Sequence, residues 1–270
     1  MIDDNLITSL QNPKIKQVIK LRQRRERNKT ELYLIEGYRE IKKSSYKNFP
    51  LEMLFYCTEW FLGENEQALI DFFRSQGVKL YACSKQVFQK LSYRDRPDGL
   101  LGVAKQFSLS LDNLLDEVDK VSVILVAEAL EKPGNLGTIL RCCDAVGVDG
   151  LIICDPCTDI FNPNVVRAST GCLFSVSLAQ SNKENCFRWL KDRNINIVAV
   201  TPQATATYFQ SDLTQPSAFI MGTEQYGLSE FWLEHCDQQV SIPMHGQADS
   251  LNVAMATTVI LFESQRQRFQ

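Results

Sequence analysis

The second half of this chain repeats one pattern: an apolar, β-branched run, then a polar loop, then a helical periodicity. Val123-Ile-Leu-Val-Ala127 is the clearest of the runs. A strand with one wet face alternates apolar and polar residues, whereas a strand apolar at every position is covered on both faces. Strand patterns fall at residues 121–127, 150–154, 174–178, 195–201, 218–222 and 239–243. Helical patterns fall at 136–146, 163–170, 183–193, 229–235 and 251–268. Strands that alternate with helices build a parallel sheet with helices on both faces. Residues 121–270 are therefore expected to form one α/β domain, with any ligand in the crevice outside the carboxyl ends of its strands.

Residues 1–106 mix the same signals less regularly. Val18 and Leu21 ahead of a basic run indicate an amphipathic helix, and residues 31–36 read as a strand ending at Gly37. Further strands are expected at 51–57, 78–82 and 100–107, the last after the turn Pro97-Asp98-Gly99. A helix near 69–74 stops at Gly77, and Ser84 caps another through Leu91. This is the pattern of a smaller α/β domain, with the polar, acidic stretch 107–120 as linker.

Composition removes several classes. No run of about 18 apolar residues exists to span a membrane. The start, Met1-Ile-Asp-Asp-Asn5, lacks a basic stretch followed by an apolar core, so no secretory signal is expected. The nine cysteines are odd in number and scattered. Cys142, Cys143, Cys172 and Cys186 sit in apolar patterns, where a thiol behaves as a small hydrophobe. A reducing, cytoplasmic compartment is expected. Cys154 and Cys157 form one C-x-x-C, no second follows, and His235 and His245 lie far along the chain, so no metal is expected.

The net charge of −3 argues against a uniformly basic nucleic-acid binder, yet residues 1–30 carry eight basic against three acidic side chains. Two readings of that segment stand together. One is a phosphate-neutralising surface contributed by Lys14, Arg22, Arg24 and Arg25. The other is an ordinary solvated helix face.

Three polar stretches at strand ends carry the chemistry. Asn135-Leu-Gly-Thr-Ile-Leu-Arg141 offers an N-cap at Asn135 after the turn Pro133-Gly134, with Arg141 nearly two helical turns on. A helix N-terminus with an arginine suits a phosphate or a developing oxyanion, and a capped helix with a surface arginine reads equally well. Met221-Gly-Thr-Glu-Gln-Tyr-Gly-Leu-Ser229 places two glycines around a polar turn. No Lys-Ser or Lys-Thr follows Gly227, which excludes a phosphate-binding P-loop, and neither G-x-G-x-x-G nor G-x-S-x-G occurs. In Ile242-Pro-Met-His-Gly-Gln-Ala-Asp-Ser-Leu-Asn252, Ser250 is the expected cap of the last helix, with Asn252 in its first turn. An apolar wall beside exposed backbone groups can hold a flat, uncharged ring such as adenine.

Taken together, the three stretches resemble the motifs of the SpoU branch of the SPOUT RNA methyltransferases: N-x-G-x-x-x-R, then G-x-E-x-x-G-L, then I-P-M…S-L-N. Ser169 and Gly171, after Pro163 and Arg167, resemble the segment that follows the first motif. Residues 1–106, with a basic run followed by Leu34-Ile-Glu-Gly37, resemble the L30e-like substrate-binding domain of some members, which points to ribosomal RNA rather than transfer RNA. The resemblance implies a trefoil-knotted catalytic domain, S-adenosylmethionine as methyl donor, and a homodimer with sites near the subunit interface. It implies cofactor contacts at Gly222, Ile242, Met244 and Leu251, RNA contact at Arg167, and catalytic roles for Asn135, Arg141, Glu224, Ser250 and Asn252. The implied reaction is methyl transfer to a ribose 2′-hydroxyl. Arg141 is read as an electrostatic and orienting group rather than a base, because guanidinium keeps its proton in proteins. Two alternatives stand beside this reading: the same chemistry on transfer RNA, and an RNA-binding module without catalysis.

Overall fold

The computed structural model describes residues 6–46, 49–114 and 122–269, and the statements below concern those residues. The first five residues, the second part of the acidic stretch and the first position of the 121–127 run lie outside them. The chain divides into two compact units, Met1–Phe107 with Asp159–Phe174, and Ser108–Thr158 with Ser175–Gln270.

Unit 1 contains α1 (Pro13–Lys20), α2 (Arg24–Thr30), β1 (Leu32–Glu36), α3 (Tyr38–Tyr46), β2 (Leu51–Tyr56), α4 (Glu66–Ser75), β3 (Lys79–Ala82), α5 (Lys85–Leu91) and β4 (Leu100–Lys105). The strands lie in the order β1-β4-β2-β3, antiparallel except for the β2/β3 pair. Ile15 and Val18, three apart on α1, share a core with Val87, Phe88 and Leu91 of α5 and with Phe55, Leu101 and Val103 of the sheet. The Ser84 hydroxyl accepts from the Val87 N–H at 3.5 Å and caps α5 as expected.

The basic segment behaves differently from its charge count. Arg22 donates from Nη2 to the carbonyls of Lys90, Leu91 and Ser92 at 2.9, 2.9 and 2.8 Å. A cation there satisfies the orphan carbonyls and the negative end of α5. Arg27 is only 1% exposed. Its Nε and Nη2 reach Asp159 at 2.9 and 2.5 Å, and its Nη1 donates to the carbonyls of Leu21 and Arg22, both at 2.9 Å. Arg22 and Arg27 are thus bonded to the protein itself. Lys14, Arg24 and Arg25 are exposed, as is Arg167 on the helix Pro163–Ala168 of the same unit.

Unit 2 contains β5 (Val123–Glu128), α6 (Pro133–Val146), β6 (Gly150–Cys154), β7 (Leu178–Ser181), α8 (Lys183–Asp192), β8 (Asn196–Val200), β9 (Ser217–Met221), α9 (Glu230–His235), β10 (Gln238–Val240) and α10 (Val253–Arg268), α7 being the unit 1 helix Pro163–Ala168. Its six strands pair in parallel throughout, in the order β10-β8-β9-β5-β6-β7. Ile124, Val126, Ile152, Ile197 and Ile220 share a core with Trp189 and Leu190 of α8 and Trp232 of α9. Leu125 and Ala127, of opposite parity, are equally buried, while α6 and α10 pack on each other. Burial at both parities is why these strands read as unbroken apolar runs.

One expected strand is corrected. Residues 172–174 form a turn of 3-10 helix, and β7 begins only at Leu178, where it pairs with Leu151. Cys172, Leu173 and Phe174 are buried in unit 1, with the Phe174 ring 5.2 Å from Phe49. A short apolar run signals burial without saying in which element.

All nine cysteines are free. Cys154 is buried on β6 and Cys157 is exposed, and no group of three or more potential metal ligands assembles among the described residues. A hydrogen bond between the Cys154 and Cys186 thiols and their burial push the Cys154 thiol well above its ordinary range. No helix among the described residues is long and apolar enough to cross a membrane.

Candidate active site

The strand order of unit 2 reverses between β5 and β9: the chain runs outward from β5 through β6 to β7, then returns to fill the other side. Loops diverge at such a point and leave a crevice above the carboxyl ends of the two strands. Three loops meet there.

The first follows β5. Ala129 adopts a left-handed conformation (φ 49°), which costs a non-glycine residue about 1–2 kcal/mol, and turns the chain toward α6. The helix begins at Pro133, with Lys132 at the cap position, so Asn135 lies inside the first turn and is not the N-cap. Proline has no N–H to satisfy and its fixed φ already suits a helix, so it starts the element three residues early. The Asn135 side chain is thereby left for other work, and its Nδ2 donates to Glu224 Oε1 at 2.7 Å.

The second loop follows β9. Thr223 and Gly227 exchange N–H···O=C bonds at 2.9 and 3.0 Å, and the Tyr226 N–H donates to Thr223 Oγ1 at 3.0 Å. A Cβ on Gly222 would lie 2.3 Å from the Gly227 carbonyl carbon, so only glycine lets this loop fold back on itself. Its far end is tied by Glu128, buried at the end of β5, which accepts from the Ser229 N–H at 3.0 Å and from the Ser229 hydroxyl at 2.6 Å.

The third loop enters α10. Asn252, and not Ser250, is its N-cap: Oδ1 accepts from the Ala254 N–H at 3.0 Å. The helix starts two residues later than the apolar pattern suggests, because Leu251 faces a cleft rather than the helix core. Asn252 Nδ2 donates to Asn135 Oδ1 at 3.2 Å and to Glu224 Oε1. The Lys132 ammonium pairs with the other oxygen, Glu224 Oε2. Glu224 therefore joins all three loops through one carboxylate. Its bond to Lys132, helped by the one from Asn135, holds the carboxyl below the usual carboxylate range.

Beside this hub lies a cleft of about 510 Å³. Met221, Gly222, Leu228, Ile242, Met244, Leu251 and Ala256 give its apolar wall, and Ser250, Glu224 and Asp249 its polar rim. No lysine or arginine lines it. Of its two carboxylates Glu224 is already paired with Lys132, so Asp249 is the one left to face a positively charged ligand, and a lining without a cation disfavours a phosphate.

The structure thus joins Asn135, Glu224 and Asn252 by direct hydrogen bonds and sets Gly222, Ile242, Met244, Ser250 and Leu251 around one cleft. It does not bring Arg141 to them. Arg141 is exposed on α6, roughly 9 Å along the axis from Asn135 at 1.5 Å per residue, and does not line this cleft. Lys14, Arg22, Arg24, Arg25 and Arg167 belong to unit 1. Sequence reading missed Lys132 and Glu128. The available signal for Glu128 was a carboxylate closing an otherwise apolar strand, which is seldom buried without a partner.

Residues 122–262 match the SpoU rRNA Methylase family, and residues 12–102 match the MRM3-like substrate binding domain. Among curated relatives, the chain is 33% identical over 267 residues to an uncharacterized tRNA/rRNA methyltransferase of Synechocystis sp., covering 97% of this chain and 94% of that one. It is 31% identical to the 23S rRNA (uridine(2479)-2′-O)-methyltransferase of Streptomyces viridochromogenes, over 91% of this chain and 86% of that one. Among solved structures, the AdoMet-bound rRNA methyltransferase of Sinorhizobium meliloti superposes with a TM-score of 0.88 at 28% identity, covering 97% of each chain. With three interlocked motif loops at the switch point of a parallel sheet, and a family match over more than half its length, this chain belongs to the SpoU rRNA methylase family.

Proposed function

We propose that this protein transfers a methyl group from S-adenosylmethionine to a ribose 2′-hydroxyl of ribosomal RNA. The observation that carries this reading is the junction of Asn135, Glu224 and Asn252 against a cleft walled by apolar side chains and free of cations. The cofactor fits that cleft on chemical grounds. Met221, Leu228, Ile242 and Leu251 offer apolar contact to an adenine, and Asp249 offers negative charge to a cationic ligand. When bound, S-adenosylmethionine supplies an electrophilic methyl group on a sulfonium.

The protein's own residues do the rest. Gly222, Ile242, Met244 and Leu251 hold the donor, and Ser250 shapes the rim. Glu224 keeps the Asn135 and Asn252 amides in place, so the polar groups facing the ribose need little reorganisation during reaction. Arg141, which lines neither cleft of its own protomer, acts across the homodimer and stabilises the negative charge that develops as the 2′-hydroxyl gives its proton to water. Lys14, Arg24, Arg25 and Arg167 contact the RNA backbone, while Arg22 is engaged with the carbonyls of Lys90, Leu91 and Ser92. The protein works in the cytoplasm, and the α10 segment after the third loop completes a trefoil knot. Tritiated S-adenosylmethionine with a 23S rRNA transcript tests the reading: label at a single position, resistant to alkali as a 2′-O-methyl, is expected, and no incorporation refutes it.

Two further expectations follow from the surface. Replacing Lys14, Arg24 and Arg25 by glutamine lowers the slope of log K against log salt for RNA by about 2, at roughly 0.7 per lost contact to a single strand. An unchanged slope makes this a solvated face. Arg22 is left out because its loss also strips three carbonyls of α5 of their partner.

Met255 and Phe262, seven residues apart on α10, are 62% and 51% exposed although the helix is already buried along Val253, Ala254, Ile260 and Leu261. A helix apolar on both sides is one covered on both sides. This face is the homodimer surface: Met255→Glu with Phe262→Glu gives a monomer in sedimentation, and a wild-type monomer refutes the assignment.

A further inference from the structure

A second cleft, of about 250 Å³, shares residues 223–226 with the first. Its remaining wall comes from Leu130, Glu131, Lys132 and Asn135 at the start of α6, with Val253. Two side chains mark it, Tyr226, which also borders the first cleft, and Lys132, which lines this one alone of the two. Tyr226 is 77% exposed, and the Lys132 side chain is 70% exposed while its ammonium reaches Glu224. Tyr226 is not loose, because its N–H is bonded to Thr223 Oγ1 and its loop is closed by the Thr223/Gly227 pair. The loop presents an aromatic face to water from a fixed backbone, in a cleft that holds the Lys132 cation with the carboxylates Glu131 and Glu224.

We propose that this second cleft seats the target nucleotide, its base stacked on Tyr226 and its phosphate held by Lys132. The inference rests on the RNA reading above and names the substrate subsite of that reaction. Every base has a π-face, so stacking on a tyrosine grips an unpaired nucleotide whatever its identity. The phosphate takes an ammonium whose present partner, Glu224, keeps the donors Asn135 and Asn252. With base and phosphate placed so, the ribose falls at the wall the two clefts share, beside the methyl donor's cleft.

The test uses the full chain and two probes, a short fluorescein-labelled single-stranded RNA of mixed sequence and S-adenosylmethionine itself. Tyr226→Ala is expected to raise the RNA Kd about tenfold, within the range measured for losing one stacked base. Tyr226→Trp restores RNA affinity, and its added indole fluorescence is quenched by RNA beyond the wild-type response. Lys132→Ala weakens RNA binding and lowers the salt slope by roughly 0.7, and Lys132→Arg recovers both. RNA binding by Tyr226→Ala equal to wild type overturns the proposal. So does Tyr226→Trp as weak as Tyr226→Ala, since loop integrity and not the ring would then be at stake. Wild-type protein that binds RNA through Tyr226 but takes no S-adenosylmethionine sinks the methyl-transfer reading and leaves this subsite standing.

Discussion

Arg141→Ala is expected to lower kcat for 2′-O-methylation by about 100-fold or more, the scale seen when one preorganised donor to a developing oxyanion is removed. The unfolding midpoint and the cofactor Kd should stay near wild type. Arg141 is exposed, outside both clefts, and takes no part in the Lys132–Glu224–Asn135–Asn252 junction, so its loss breaks no internal bond of that network. Surface substitutions of this kind usually cost under about 0.5 kcal/mol of stability. Arg141→Lys keeps the charge and loses the planar fork, so it recovers part of the rate. Single-turnover methylation with calorimetry on the same preparations checks all three points. A rate above a tenth of wild type removes Arg141 from the chemistry.

The second large effect concerns stability. Arg27→Ala is expected to cost about 3–5 kcal/mol, the usual consequence of leaving one partner of a buried ion pair behind. Arg27 is 1% exposed, and the Asp159 side chain 10%. Without the guanidinium, the Asp159 carboxylate loses two donors and the carbonyls of Leu21 and Arg22 lose theirs. Because Asp159 lies 132 residues along the chain, the pair fastens the segment 159–174 into unit 1. Urea unfolding followed by the unit 1 aromatic signal measures the cost. The double variant Arg27→Met, Asp159→Leu should recover most of it, since an apolar pair of similar volume removes the unpaired charge. A single-variant loss under about 1 kcal/mol shows that the pair is not structural.

These two arginines show what a sequence can and cannot display. Arg141 stands out in a string because its spacing from Asn135 belongs to a motif. Arg27 was one positive charge among eight, and the count treated all eight as facing water. Its burial depends on a partner that local patterning does not address. The helix starts went wrong for a related reason. Asn135 and Ser250 are both good caps by residue type. In the folded chain Pro133 starts α6 earlier, and Asn252 both caps α10 and bonds across to Asn135 and Glu224. The 174–178 run failed because residues 172–174 bury their apolar side chains in the other unit.

Glu224 is the sharpest case. By composition it is a carboxylate in a surface turn. Its depressed pKa and its four-membered junction exist only because the loops after β5, its neighbour β9 and the edge strand β10 converge at one point. Lys132 and Tyr226, which no motif singles out, acquire their roles from the same geometry.

The sequence by itself determined that the second half is a parallel sheet covered on both faces, because burial at every strand position and helical spacing between strands are local properties of the string. It also marked the three loops, since glycine, proline and asparagine at strand ends declare themselves by type. Only the tertiary structure decided which loop residues touch, which cations are spent inside the protein, and where one apolar run is buried. Those outcomes depend on strand order, and strand order is a long-range property that no window of neighbouring residues encodes.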